Sequence, residues 1–300
     1  NNIIECVAMK YHHGVTLCLS TQVGCAMGCS FCASTTGGLV RNLTAGEMTA
    51  QVLESNKDLI AHGWGPINGL VLMGSGEPLD NYDNTMRFIH QIHEPKGLNM
   101  GYRNITLSTC GLVPKMRLLA EEDLSINLAV SLHAPTDEIR CKIMKIARVY
   151  PIRDVVNASR YYFDKTGRRV TFEYALIHGV NDRPQHAVQL AQLLKDFPCH
   201  INLIPLNENT HSKQRRSTDE SIRRFIEILE SYGLNATRRR EMGLDIQGAC
   251  GQLKNFYLSS KDEQGSIGAE GQNSGSSMTG SNSSDIDYGN KTREPGSEKG

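Results

Sequence analysis

The sequence predicts an α/β fold, a partial (β/α)6 barrel with short flanking strands, and three observations carry that prediction. Short runs rich in β-branched and other apolar residues recur at 15–20, 67–73, 104–109, 126–132, 170–177 and 201–206. Helical patterns separate most of them, the alternation expected of a parallel sheet buried on both faces. Polar and glycine-rich residues follow the carboxyl ends of these runs, where parallel α/β folds gather their chemistry.

Taken in order, residues 1–14 read as an N-terminal strand and lead-in, residues 15–258 as the main domain and residues 259–300 as a tail. The first apolar run opens into a loop holding Cys25, Cys29 and Cys32. Thr44 and Glu47 make a capping box ahead of Met48 and Val52, the signature of a helix start. The second run ends in Met73-Gly-Ser-Gly-Glu-Pro78, the third in Ser108-Thr-Cys-Gly111, the fourth in Ser131-Leu-His133 and the sixth at Asn207. Asp182 and Pro184 open a helix through Leu190 and Leu194. Ser217 with Glu220 forms a second capping box before Ile222, Phe225, Ile226 and Leu229. A last short strand is expected at 235–240, followed by the loop Gly248-Ala-Cys-Gly-Gln-Leu253 with one thiol, Cys250. Serine and glycine supply 18 of the 42 tail residues. Such a stretch has too few apolar side chains to offset its ordering entropy and should be disordered.

Charged residues make up 21% of the chain and cancel, 32 basic against 32 acidic, so a global polyanion-binding charge is excluded. The tail carries seven acidic and four basic side chains, which leaves 28 basic against 25 acidic, or +3, in the body. Nine cysteines without a secretory leader or framework spacing point to a reducing cytoplasm, where thiols stay free for metal and redox chemistry. No apolar run approaches a membrane span. The chain begins at Asn1 rather than Met, which points to a processed, cropped or fragmentary amino terminus.

The strongest chemical signal is Cys25-Ala-Met-Gly-Cys29-Ser-Phe-Cys32. Three thiols so close do not readily pair with one another as disulfides, but they can wrap one soft-metal centre, zinc or an iron-sulfur cluster. A structural zinc site wants four closed ligands, and no nearby CxxC or HxxxH supplies the fourth. Three cysteines on a four-iron cluster leave one iron open to bind a substrate. Cys6, Cys110, Cys141 and Cys199 read as small buried hydrophobes.

With that loop, Met73-Gly-Ser-Gly-Glu-Pro78, Ser131-Leu-His-Ala-Pro135, Asn202-Leu-Ile-Pro205 and Ala249-Cys-Gly-Gln-Leu253 in order, the chain resembles the RlmN/Cfr family over roughly residues 3–258. These are radical S-adenosylmethionine (SAM) methyltransferases that modify an adenine of 23S rRNA. The resemblance implies a radical SAM barrel with a [4Fe-4S] cluster on Cys25, Cys29 and Cys32 and two SAM molecules per turnover. One SAM methylates Cys250. The second, on the open iron, is cleaved reductively, and the resulting radical takes hydrogen from the S-methyl group. The carbon adds to adenine, Glu5 removes the ring proton as general base, and Cys18 releases the product through a transient disulfide with Cys250. Gly76 and Glu77 match the family's SAM-contacting turn. Ser108, Ser131, Leu132, His133 and Asn207 match further SAM contacts, and Phe31 would line the adenine of the same ligand.

The resemblance also implies a cytoplasmic monomer that draws electrons from a donor such as flavodoxin or ferredoxin. Glu77-Pro78 and Asn202-Leu-Ile-Pro205 look more like the RlmN type, which acts on carbon 2 with tRNA as a second substrate, than the Cfr type, which acts on carbon 8. An amino-terminal helical accessory domain usual in the family is absent upstream of the barrel. Lys213, Arg215, Arg216, Arg223, Arg224 and residues 238–240 concentrate basic charge. A solvated helix face explains Arg223 and Arg224 equally well, while 213–216 and 238–240 could grip phosphates around an extruded adenine. The alternatives are a catalytically silent Fe-S RNA-binding protein and a radical SAM enzyme for a small metabolite, which would leave Cys250 without a role.

Overall fold

The computed structural model describes residues 2–207 and 212–239. Strand β1 (Val7–Tyr11) pairs antiparallel with β2 (Gly14–Cys18), Val7 opposite Cys18. Every later strand of the main sheet joins in parallel and in chain order: β5 (Ile67–Leu72), β6 (Ile105–Thr109), β7 (Asn127–Ser131), β8 (Thr171–Leu176), β9 (His200–Pro205) and β10 (Asn235–Arg238). A sheet that always grows on the same side carries its crossover helices on one face, and its twist curls the other into a partial barrel. The six expected strands are present, with β10 added in parallel at one edge and antiparallel β1 at the other. A separate two-stranded sheet of β3 (Gln22–Gly24) and β4 (Leu39–Asn42), unforeseen in the sequence, brackets the cysteine loop. The helices are α1 (Ala45–Ala61), α2 (Tyr82–His93), α3 (Val113–Ala120), α4 (Asp137–Ile143), α5 (Ile152–Thr166), α6 (Pro184–Leu194) and α7 (Asp219–Ser231).

Inward and outward positions alternate with the period of a strand. Leu107, Leu128, Val130, Phe172, Tyr174, Ile201 and Leu203 are buried in the core between sheet and helices. The intervening Ser108, Ala129, Ser131, Thr171, Glu173 and Asn202 line spaces on the concave face. The expectation of a sheet buried on both faces is therefore corrected in part: the concave face sets polar side chains among apolar ones such as Ala129, Ala175 and Ile204, and an incompletely closed barrel leaves that side open.

The Thr44 capping box forms as expected. The Thr44 hydroxyl accepts from the Glu47 amide at 3.2 Å, and the Glu47 carboxylate accepts from the Thr44 amide at 2.9 Å. The other two helix starts differ. Thr218, not Ser217, caps α7, accepting from the Ser221 amide at 3.2 Å. Ser217 is buried and donates instead to Asp182 at 2.9 Å. Asp182 also accepts from the Gly179 amide, so it closes a turn rather than capping α6; Pro184 does open that helix. Among the described residues no helix is long and apolar enough to cross a membrane. Cys250, Arg240 and the tail at 259–300 lie outside the described residues.

Candidate active site

The carboxyl ends of the strands and the loop after β3 surround a cleft. Cys25, Cys29, Phe31 and Cys32 line it from the loop, Gly76 and Glu77 from the turn after β5, and Ser108 and Ser131 from the ends of β6 and β7. His133 and Asn207 complete the lining after β7 and β9. Leu132 is set apart. It is fully buried, its side chain packs in the core behind the sheet, and its carbonyl accepts from Arg140 Nε at 3.2 Å.

The turn after β5 lies against the segment after β2 so closely that side chains do not fit. A Cβ on Gly74 would stand 2.7 Å from the Leu19 carbonyl, and one on Gly76, at φ +111°, 2.8 Å from the Gln22 amide nitrogen. Gln22 ties the two segments. Its Oε1 accepts from the Glu77 amide at 2.8 Å, and its Nε2 donates to Asn42 and Asp80. Glu77 is buried, with one oxygen accepting from the Leu79 amide at 3.1 Å and the other from the Cys110 amide at 2.7 Å. Burial pushes its pKa up and these amides push it back. The side chains of Cys110 and Thr109 also hydrogen-bond it, so this carboxylate is fixed at the wall of the cleft by four donors.

His133 sits at φ 56° with its Nδ1 accepting from the Ala175 amide at 2.9 Å, which places its proton on Nε2. Burial, helped by the nearby Arg140 charge, drives its pKa down to about 3, so the ring is neutral. It stands edge-on to Phe31 with centroids 4.9 Å apart. Behind it, Arg140 has no exposed surface and donates to the carbonyls of Cys110 at 2.6 Å, Leu132 at 3.2 Å and Tyr150 at 3.2 Å. One buried guanidinium thus ties the ends of β6 and β7 to the segment ahead of α5.

Burial also raises the thiols, Cys25 to about 12 and Cys29 further, with Cys32 adding repulsion to both. The three cannot ionise together unless a positive centre takes up their charge, as a metal centre does. Among the described residues no three His, Cys, Asp or Glu side chains converge on a single metal ion. A donor set of three thiols lining one cleft suits a cluster, whose thiolates each hold a different iron, better than a closed four-ligand zinc site.

Two other lining residues were not anticipated. Cys110, expected as structural, opens into the cleft, as does Glu173, and Met73 and Arg239, from the glycine-rich motif and the basic run at 238–240, line it too. Glu173 carried a signal, being a charge between Phe172 and Tyr174 in an apolar strand. Cys18, at the end of β2, is buried in a small cluster with Val7 and Met9, and Met73, a cleft residue, packs against that cluster. Glu5 lines a neighbouring groove with Gln22 and Ser75. No disulfide joins any two of the eight described cysteines, and the transient Cys18–Cys250 bond implied by the resemblance involves a residue, Cys250, outside the described ones. Of the basic residues considered for RNA, Arg216 and Arg238 both pair with Asp219, and Arg224 pairs with Glu227.

The Radical SAM superfamily signature matches residues 19–191. The chain is 54% identical, over 87% of its length and 74% of the relative's, to a probable dual-specificity RNA methyltransferase RlmN of Clostridium perfringens. It is 55% identical to the one from Alkaliphilus oremlandii, over 86% and 74%. The chain belongs to the RlmN family of radical SAM RNA methyltransferases. A radical SAM methyltransferase from Sphaerobacter thermophilus superposes with TM-score 0.83 at 49% identity, covering 85% of this chain and 74% of that one. Streptococcus suis SuiB bound to S-adenosylmethionine shares the fold alone, with TM-score 0.56 at 15% identity over 79% and 53%. RlmN family membership implies a [4Fe-4S] cluster and SAM, and the three thiols line an open cleft beside polar groups that could hold them.

Proposed function

We propose that this chain methylates carbon 2 of an adenine in 23S rRNA, with tRNA as a second substrate, and carries the methyl group on Cys250. The observation that supports this reading best is the convergence of Cys25, Cys29, Cys32, Glu77, Ser108, Ser131, His133 and Asn207 on one cleft in an RlmN family chain. When bound, the cluster and SAM supply the methyl group and the one-electron chemistry that an unreactive ring carbon requires. Cys25, Cys29 and Cys32 would hold the cluster. Glu77, oriented by the Cys110 and Leu79 amides, would receive the methionyl ammonium or ribose, and His133 and Phe31 would wall the ligand's adenine. Two SAM molecules are consumed per turnover in this reading, and electrons come from a small donor protein such as flavodoxin or ferredoxin.

The remaining steps belong to protein side chains. Glu5 takes the ring proton. Cys18 then attacks the Cys250 sulfur as a thiolate, forming an S–S bond as the carbon-sulfur bond to the base breaks; the released carbon keeps that electron pair and takes up a proton to become the methyl group, and a two-electron reductant restores both thiols. The place of Cys18 in a cluster that the cleft residue Met73 packs against supports a part in chemistry at the cleft. The test is mass spectrometry of nucleosides from RNA treated anaerobically with the reconstituted enzyme. The expected product is 2-methyladenosine, absent with Cys250→Ala. 8-Methyladenosine as the main product would refute the carbon-2 assignment, and methylation by Cys250→Ala would refute the carrier.

A further inference from the structure

The concave face of the sheet does not end at the cofactor cleft. Met73, Glu173 and Arg239 line both that cleft and a second cavity with about 1140 Å³ of atom-free space toward the amino-terminal ends of the strands. The inside of a closed (β/α) barrel is filled by layers of apolar side chains. Here the inward positions at the start of β6, β7 and β8 are Thr106, Asn127 and Thr171, and the space between them is open.

Its charge is one-sided. Arg168 and Arg169, from the segment between α5 and β8, reach the cavity, and the one carboxylate in the lining is already engaged. Glu173 accepts from Asn202 at 2.9 Å and lies 3.6 Å from Arg239. Arg168 is held in place rather than loose. Asn127 donates its amide hydrogens to the carbonyls of Arg103 and Ile105, which turns its oxygen toward Arg168 Nη2 at 2.5 Å. Arg168 Nε is buried and has no hydrogen-bond partner among the described residues. A fixed guanidinium with an unspent buried donor, a second arginine beside it and threonine hydroxyls opposite make a donor-rich, cationic recess. Arginine forks match phosphate oxygens two at a time.

We propose that this amino-terminal end of the barrel binds a phosphate-class oxyanion, gripped by Arg168 and Arg169. The same chemistry could be presented by a phosphodiester of bound RNA or by a free polyphosphate or nucleotide. Pyrophosphate is the probe, titrated calorimetrically into the cluster-loaded enzyme at low salt, with SAM in excess so that the upper cleft is filled. The expected result is saturable binding that weakens at least tenfold in the Arg168→Gln/Arg169→Gln double variant. Arg117→Gln, on the exposed outer side of α3, should leave it unchanged. Should the double variant fold poorly, Arg169→Gln alone, at an exposed position, should still weaken binding about threefold. No saturable pyrophosphate binding, or equal affinity in wild type and the arginine variants, overturns the proposal.

The source is read from a second titration with an RNA oligonucleotide. If the site serves RNA, pyrophosphate competes and the double variant lowers the slope of log affinity against log salt by about 1.4, roughly 0.7 per lost single-strand phosphate contact. If it serves a free anion, pyrophosphate binding falls while RNA affinity and its salt slope stay as in wild type.

Discussion

Replacing Arg140 by methionine tests whether the buried guanidinium holds the cleft together. The side chain has no exposed surface, and its three shorter hydrogen bonds all run to backbone carbonyls, of Cys110, Leu132 and Tyr150. Methionine keeps much of the volume and removes the charge, so the change strips three acceptors without opening a large cavity. Leaving a buried acceptor unsatisfied costs about 1–3 kcal/mol, which gives roughly 3–9 kcal/mol gross. The arginine's own desolvation, visible in its lowered pKa, is relieved at the same time. A net loss of about 2–4 kcal/mol follows, a large part of the ~5–15 kcal/mol that holds a domain. In equilibrium urea unfolding with m of about 1–3 kcal/mol/M, the midpoint should fall by about 1–2 M. Arg140→Lys should fall between, since one ammonium retains the charge but cannot span three carbonyls in a fork. If Arg140→Met unfolds within about 0.5 kcal/mol of wild type, the span typical of inert surface changes, the carbonyls do not depend on the guanidinium.

Ala in place of Cys25, Cys29 or Cys32 should lower iron in the anaerobically reconstituted protein from about four per chain to below about one, measured by iron analysis and the visible spectrum of the cluster. A retained cluster would remove that cysteine from the ligand set. Gly76→Ala places a methyl group 2.8 Å from the Gln22 amide nitrogen at a φ that L-residues avoid, so the turn carrying Glu77 must move. SAM affinity should drop at least tenfold by calorimetry on the loaded protein; unchanged affinity would mean that the turn does not position the ligand. Burial holds the His133 pKa at about 3, against an ordinary imidazole value of 6.5, so its neutral form is the one the fold prefers. Its contribution is complete above about pH 6.5 and is lost as pH falls toward 3, at up to about 1.4 kcal/mol per pH unit. The stability difference between wild type and His133→Gln should shrink over that window, and a difference independent of pH would refute the neutral buried ring.

The parts of the site most legible in the sequence are those in which chemistry or backbone geometry demands an unusual residue at a fixed place. Three cysteines in eight residues and glycines after an apolar run need no partner elsewhere in the chain to be noticed. Thr44 with Glu47 was legible for the same reason, since a capping box is closed within one helical turn. Ser217 and Glu220 satisfy the same pattern, yet Thr218 takes the cap because Asp182, remote in sequence, claims the Ser217 hydroxyl. A local pattern cannot show that competition. Arg140 is the stronger case. In sequence it is one more charge on a short helix, and its role exists only once the curl of the sheet brings three carbonyls from different segments around it. Cys110 and Glu173 lie on the same side of this boundary. Their strands were read correctly, but the face each would show depended on whether the barrel closes. An incomplete barrel turns inward positions from core into lining. That one geometric fact places a buried carboxylate and an arginine between the cofactor cleft and the cationic recess below it, so perturbing either end should be felt at Glu173 and Arg239 first.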